Sequence, residues 1–119
     1  MTPEGKVKAN LKRRLRAAFK DAYVFMPVQN GMGAPGLDFY CCIHGMFVAI
    51  ETKAPGKELT ERQDITRQQI LAAGGLVFKV SCDAEAERAI TTIKRIHQLN
   101  VADERYRIAD PQEADCPGY

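Results

Sequence analysis

Hydrophobic residues recur at helical spacing in the first part of the chain. Val7, Leu11, Leu15 and Ala18 follow one another at intervals of three or four residues, which predicts a single apolar stripe along a helix. The segment 2–4, Thr-Pro-Glu, is typical of a helix start, with a capping hydroxyl, a proline at the first helical position and an acid in the first turn.

Short apolar runs then predict extended structure rather than helix. The first run contains Pro27, which lacks a backbone N–H and so places the end of that strand at an edge of a sheet. His44-Gly45 is a two-residue hairpin turn between the second and third runs, and QNGMGAPG, residues 29–36, is a turn-rich loop. The three predicted strands cover residues 23–28, 37–43 and 46–53.

The second half of the chain alternates between helix and strand. Thr60 and Gln63 form a capping box for a helix that runs to about Ala73, where two glycines stop it. LVFKV, residues 76–80, is a short buried strand, and Asp83 caps a last helix. The order α-β-β-β-α-β-α predicts an α/β domain with a mixed sheet between helices, over residues 1–100, followed by a tail, residues 101–119, with little periodicity.

Size and composition set the class of protein. A chain of 119 residues with 45% hydrophobic and 27% charged residues fits one globular domain. The N-terminus lacks the apolar core of a signal peptide, and we expect a cytoplasmic protein with no membrane contact. Four cysteines without a C-x-x-C pair are expected to be reduced, and the glycine-rich loop lacks the Gly-Lys-Ser/Thr that a nucleotide cofactor would need.

Charge is unevenly distributed along the chain. Seven of the first twenty residues are basic and Glu4 is the only acid among them, whereas the tail is acidic. This pattern fits a protein that binds a polyanion, and a solvated helix face explains it about as well. The candidates for contact with nucleic-acid phosphates are Lys6, Lys12, Arg13, Arg16, Lys57, Arg62 and Arg67.

The hairpin explains why acids occur in otherwise apolar strands. With a turn at His44-Gly45, Asp38 lies directly opposite Glu51, with Cβ atoms about 5 Å apart, and Lys53 points to the same face. Two carboxylates this close need a positive charge between them, and Mg²⁺ is a cation that takes one or two carboxylates. The alternative is a salt-bridge ladder in which both acids share Lys53.

Glu4 is a candidate third carboxylate. It precedes Leu11 by seven residues and therefore lies on the inward stripe of the first helix. The alternative is that an acid in a first turn only interacts with the helix dipole.

The motifs in this order resemble a nuclease family. Asp38 followed by Glu51-Thr52-Lys53 resembles the PD-(D/E)XK signature, and the segments GAPGLDF, AIETKAPGKELTERQ and LAAGGLVFKV are similar to the VRR-NUC group of virus-type replication and repair nucleases. The resemblance covers residues 2–80. It implies a restriction-endonuclease-like fold and a homodimeric DNA endonuclease that uses Mg²⁺, with Mn²⁺ as a substitute, similar to Holliday-junction resolvases.

The resemblance also implies roles for individual residues. The metal ligands would be Asp38, Glu51 and the carbonyl of Thr52, and the catalytic set would be Lys53, Gln63 and Glu4. Gln63 can equally be explained as part of the capping box. Where the family has proline before the acid, this sequence has Leu37.

Three functions remain open at this point. The first is a structure-selective endonuclease, a junction resolvase, that chooses branched DNA by shape because phosphate contacts carry no sequence information. The second is a nicking, flap or restriction-like nuclease. The third is a catalytically silent DNA-binding domain, which would gain nothing from crowded acids that face a polyanion.

Overall fold

The computed structural model describes residues 1–28 and 36–102, which form four strands and three helices. The loop expected at residues 29–36 falls almost entirely outside this part, as do residues 103–119. The order α-β-β-β-α-β-α is confirmed. The elements are α1 Pro3–Ala18, β1 Tyr23–Phe25, β2 Phe39–Ile43, β3 Met46–Thr52, α2 Glu61–Ala72, β4 Leu76–Val80 and α3 Asp83–Ala102.

The four strands form one mixed sheet in the order β1-β2-β3-β4. The first three strands are antiparallel, and β4 lies parallel to β3. A parallel neighbour cannot be reached by a tight turn, so α2 serves as the crossover between β3 and β4.

The turn between β2 and β3 fixes the register of the hairpin. His44 has φ 51° and Gly45 has φ 80°, the pair of positive values that a two-residue type I′ turn requires. Ile43 then pairs with Met46, and the pairing continues to Phe39 opposite Ile50. The predicted register is therefore confirmed.

The hydrophobic core lies between one face of the sheet and two helices. Leu11 and Leu15 of α1 and Ile93 of α3 are fully buried against Phe39 and Ile50 of the central strands. By contrast, every side chain of α2 is exposed or half-buried, so this helix covers the opposite face only in part. Among the described residues, no helix is both long and apolar enough to cross a membrane.

Element boundaries differ from the sequence prediction at several points. β1 ends at Phe25, before Pro27, because a proline cannot donate to the ladder. β4 is only partly buried, with Val80 as its one fully buried residue. Asp83 is the first helical residue of α3 rather than its cap, and the helix continues to Ala102, past Asn100, where the prediction ended it.

Candidate metal centre and active site

Two carboxylates lie side by side where β2 begins and β3 ends. Asp38 precedes β2 by one residue, and Glu51 is the next-to-last residue of β3. The backbone N–H of Asp38 donates to Glu51 Oε1 at 2.9 Å, which links the residue before β2 directly to the carboxylate of β3. Both residues are buried, with relative exposures of 8% and 3%.

Thr52 holds the carboxylate of Asp38 in place. Its backbone N–H donates to Asp38 Oδ2 at 3.0 Å, and its hydroxyl donates to the same oxygen at 2.6 Å. Thr52 is fully buried, so this clamp is shielded from water. The other oxygen, Oδ1, accepts from Lys8 Nζ of α1 at 3.2 Å.

Glu4 supplies a third carboxylate. The Thr2 hydroxyl accepts the N–H of Gly5 and starts α1 so that Glu4 lies in its first turn. Glu4 is exposed rather than buried in the apolar stripe, yet one oxygen of each carboxylate of Glu4, Asp38 and Glu51 lies within 4.8 Å of the others. The structure thus brings together the three acids that the sequence singled out.

Gln63 takes part in the capping box of α2 and also contacts Glu51, so the two interpretations of this residue are compatible. Its Oε1 accepts the N–H of Thr60 at 3.0 Å, and the Thr60 hydroxyl accepts the N–H of Gln63, which completes the capping box. Its Nε2 donates to Glu51 Oε2 at 2.5 Å. A side chain that caps α2 therefore also fixes the orientation of Glu51.

Lys53 follows β3 and faces the same carboxylate. Its Nζ lies 3.8 Å from Glu51 Oε2, and its side chain is 14% exposed. The backbone N–H of Lys53 donates to the carbonyl of Val80 at 3.0 Å, which extends the parallel pairing beyond the strand end. The Lys53 backbone is therefore fixed by the sheet, and its ammonium lies beside the acid cluster.

The electrostatics of the site favour an added cation. Burial, together with the negative charge of Asp38, raises the pKa of Glu51 from 4.5 to about 7, although Lys53 acts in the opposite direction. A buried carboxylate next to a second one is costly to ionise unless a positive charge compensates. The two lysines supply only part of that compensation.

The donor set fits a hard divalent cation. Carboxylate oxygens are the ligands that Mg²⁺ and Mn²⁺ prefer, and an octahedral Mg²⁺ at 2.0–2.1 Å spans about 4.2 Å between opposite ligands. The three carboxylate oxygens lie within 4.8 Å of one another, so a small inward movement of the side chains would bring them to the spacing that Mg²⁺ requires. Alternatively, one acid would bind through a water, as is common for Mg²⁺.

Leu37, which replaces the proline of the nuclease signature, makes a contact that proline could not. It is fully buried, and its backbone N–H donates to the hydroxyl of Tyr40 at 2.8 Å. Because proline has no N–H, the entry to Asp38 is held here by Tyr40.

The candidate phosphate-binding residues lie in two regions. Lys6 and Arg13 line a cavity of about 320 Å³ between α1, the end of β4 and the start of α3. Lys12 is half-buried on α1, and Arg16, Lys57 and Arg62 are exposed. Arg67 is paired with Asp64 at 3.1 Å.

Lys8 is the residue of the site that the sequence reasoning missed. The charge pattern indicates only that it is one of the seven basic residues among the first twenty. Its position four residues after Glu4 was the available signal, because side chains at i and i+4 lie on the same side of a helix. A helix that directs Glu4 toward the acids must direct Lys8 toward them as well.

Comparison with known proteins bears on the fold. No protein-family model and no curated protein matches the sequence. A solved structure described as "VRR_NUC domain" superimposes with a TM-score of 0.65 at 20% sequence identity, over 76% of this chain and 97% of that one. The protein therefore has the VRR_NUC domain fold, a restriction-endonuclease-like α/β fold, which confirms the fold expected from the motifs.

Proposed function

We propose that this protein is a divalent-metal-dependent DNA endonuclease of the PD-(D/E)XK type that cuts branched DNA as a homodimer. The observation that carries the proposal is the cluster of Glu4, Asp38 and Glu51, with carboxylate oxygens within 4.8 Å, next to Lys53. The VRR_NUC fold supports the same reaction class.

Each residue of the site has a role in this chemistry. Asp38 and Glu51, with Glu4 and the Thr52 carbonyl, would hold Mg²⁺ or Mn²⁺, and such a cation would lower the pKa of a bound water and polarise the phosphoryl oxygen. Thr52 and Gln63 fix the two inner carboxylates before substrate arrives. Lys53 positions the attacking water or stabilises the charge that develops on the phosphoryl oxygens.

Basic residues around the site would hold the DNA backbone. Those of α1 lie on the helix that carries Glu4, and Arg62 lies on the helix that carries Gln63. Contacts of this kind supply affinity without reading sequence. A choice among DNA structures would then depend on how well a bent or branched backbone reaches both regions.

Cleavage assays test the proposal directly. Labelled four-way junction, flap, splayed-arm and linear duplex DNA would be incubated with the protein in Mg²⁺, Mn²⁺ or EDTA. Asp38→Asn and Lys53→Met keep the approximate shape of the side chains and remove one function each. Lys94→Met, at an exposed position on α3, is the matched control for loss of one lysine charge.

We expect paired, metal-dependent incisions in the junction, which are lost in both active-site variants and retained in Lys94→Met. We expect Lys53→Met to lower kcat at least a hundredfold, as is usual when a group that stabilises transition-state charge is removed. Cuts confined to flaps or duplex would indicate the alternative nuclease. A wild type that binds junctions but cuts none of the substrates would leave a silent binding domain.

An exposed aromatic face supports the dimer. Tyr23, Phe25, Tyr40 and Phe47 lie together on the sheet face that α2 covers only in part, and the register places Phe25 beside Tyr40. Tyr23, Phe25 and Phe47 are 68%, 51% and 48% exposed. At about 200 Å² per side chain this is roughly 330 Å² of aromatic surface, within the roughly 300–600 Å² of the largest apolar patch on a typical monomer, and patches of this size are often functional.

A second copy of the chain is the occupant that fits this aromatic face best. Its side chains are uncharged, whereas a DNA backbone would need cations beside it. A standard dimer buries about 800 Å² per partner, with aromatic residues in the centre, so these rings would form the core of such an interface. A two-fold pair also matches a junction, which has two equivalent scissile strands.

Sedimentation velocity at micromolar concentration tests the dimer. Phe25→Glu places a charge in the aromatic face and is expected to give a monomer. Leu99→Glu changes a residue of similar exposure, 64%, on α3 and is expected to leave association unchanged. A wild type that sediments as a monomer, free and on junction DNA, would remove the dimer from the proposal.

A further inference from the structure

Lys8 is a second lysine of the acid cluster, and it contacts a different carboxylate from Lys53. Lys53 Nζ lies 3.8 Å from Glu51 Oε2, whereas Lys8 Nζ lies 3.2 Å from Asp38 Oδ1. Each of the two buried carboxylates therefore has one lysine ammonium beside it. Nothing in the E-x-K pattern of the sequence accounts for this second ammonium.

Lys8 contacts the one carboxylate oxygen of Asp38 that is still able to bind a cation. Oδ2 already accepts two hydrogen bonds from Thr52, and the remaining oxygen is Oδ1, which Lys8 occupies. A lysine ammonium and a divalent cation on the same carboxylate oxygen repel each other, so the two compete for this position.

Lys8 is also able to leave. Its side chain is 34% exposed, compared with 11% for Asp38, so the ammonium lies at the boundary between the site and solvent. A lysine reaches its partner through a flexible four-carbon stem, and a small rotation of that stem moves Nζ outward.

The net charge of the cluster indicates what the second lysine contributes to phosphate binding. Three carboxylates and two ammonium groups leave one negative charge when all are ionised. With a divalent cation added, the site carries one positive charge, which a phosphodiester neutralises. Without Lys8 the loaded site would be neutral and would attract the phosphate less.

We propose that Lys8 has two positions. In the metal-free protein it neutralises Asp38, and in the metal-loaded protein it turns outward and binds a non-bridging oxygen of the DNA phosphate. This inference rests on the proposed nuclease function for its second half, whereas its first half concerns metal binding alone.

Metal affinity tests the first half without DNA or cleavage. Calorimetric titration with Mn²⁺ would compare wild type, Lys8→Met, Lys8→Arg and the charge control Lys94→Met. Removal of the competing ammonium is expected to lower the Kd for Mn²⁺ in Lys8→Met about two- to fivefold, in the range of a partly exposed ion pair. Lys8→Arg and Lys94→Met are expected to match wild type, and melting curves confirm that each variant is folded.

DNA affinity tests the second half on a Lys53→Met background, where cleavage is expected to be at least a hundredfold slower. With Mn²⁺ present, adding Lys8→Met is expected to weaken junction binding about tenfold and to reduce the salt dependence by about one phosphate contact. Lys8→Arg is expected to restore both.

The outcomes separate this inference from the nuclease proposal. An unchanged or weaker Mn²⁺ affinity in Lys8→Met, or an unchanged DNA affinity and salt slope, would overturn the role of Lys8 even if the wild type cleaves DNA. A wild type that cleaves nothing, in which Lys8→Met still binds Mn²⁺ more tightly, would overturn the nuclease and the phosphate contact and keep the competition at Asp38.

Discussion

The raised pKa of Glu51 predicts how the stability of the metal-free protein depends on pH. The pKa is 4.5 for an ordinary glutamate and about 7 in the folded protein. Because the folded-state value is the higher one, the stability that Glu51 contributes is complete below about pH 4.5 and is lost as the pH rises through about 7. Linkage gives a loss of about 2 kcal/mol between pH 5 and pH 8.

Glu51→Gln isolates this effect, because a glutamine does not titrate. Gln63 Nε2 would lose its carboxylate partner in the variant, but that cost is the same at every pH. The difference in melting temperature, wild type minus variant, is therefore expected to fall by about 8 °C from pH 5 to pH 8, at roughly 4 °C per kcal/mol for a domain of this size.

Melting curves in EDTA at about pH 5, 6, 7 and 8 measure that difference, and comparison with the variant cancels the titration of groups that do not interact with Glu51. Saturating Mg²⁺ at pH 8 is expected to restore the wild type and to leave Glu51→Gln nearly unchanged, because a ligand that binds the native state stabilises it. A difference that stays constant from pH 5 to pH 8 would refute the assignment of the raised pKa to Glu51.

Two further predictions follow from single contacts. Gln63→Ala is expected to destabilise the protein by about 1 kcal/mol and to lower cleavage at least tenfold. Thr60→Ala removes the same cap but is expected to leave cleavage within about threefold of wild type. Equal cleavage in both variants would show that Gln63 only caps the helix. Gly75→Ala would place a Cβ 2.7 Å from a side-chain carbon of Ile70 and is expected to cost about 1–3 kcal/mol. Gly56 has φ 84° and open space around it, so Gly56→Ala tests backbone strain alone and is expected to lower the free energy of unfolding by about 1 kcal/mol. If denaturant unfolding showed Gly56→Ala to be the more destabilising change, the packing argument would be contradicted.

The sequence by itself determined the order of elements and the register of the hairpin. Turn chemistry at His44-Gly45 is local, and a two-residue turn fixes which residues of two strands face each other. The proximity of Asp38 and Glu51 followed from that turn alone. The capping box at Thr60 and Gln63 was readable for the same reason, since all of its contacts lie within four residues.

Tertiary structure decided what these residues contact beyond the hairpin. The distance between the first helix and the sheet depends on how Leu11 and Leu15 pack into the core, and no local pattern states where that packing places Glu4 and Lys8. The sequence therefore left two interpretations of Glu4 open, and it predicted no role for Lys8 in the site. Helical periodicity fixes the direction of a side chain, whereas its partner is fixed only when the helix packs against the end of the sheet.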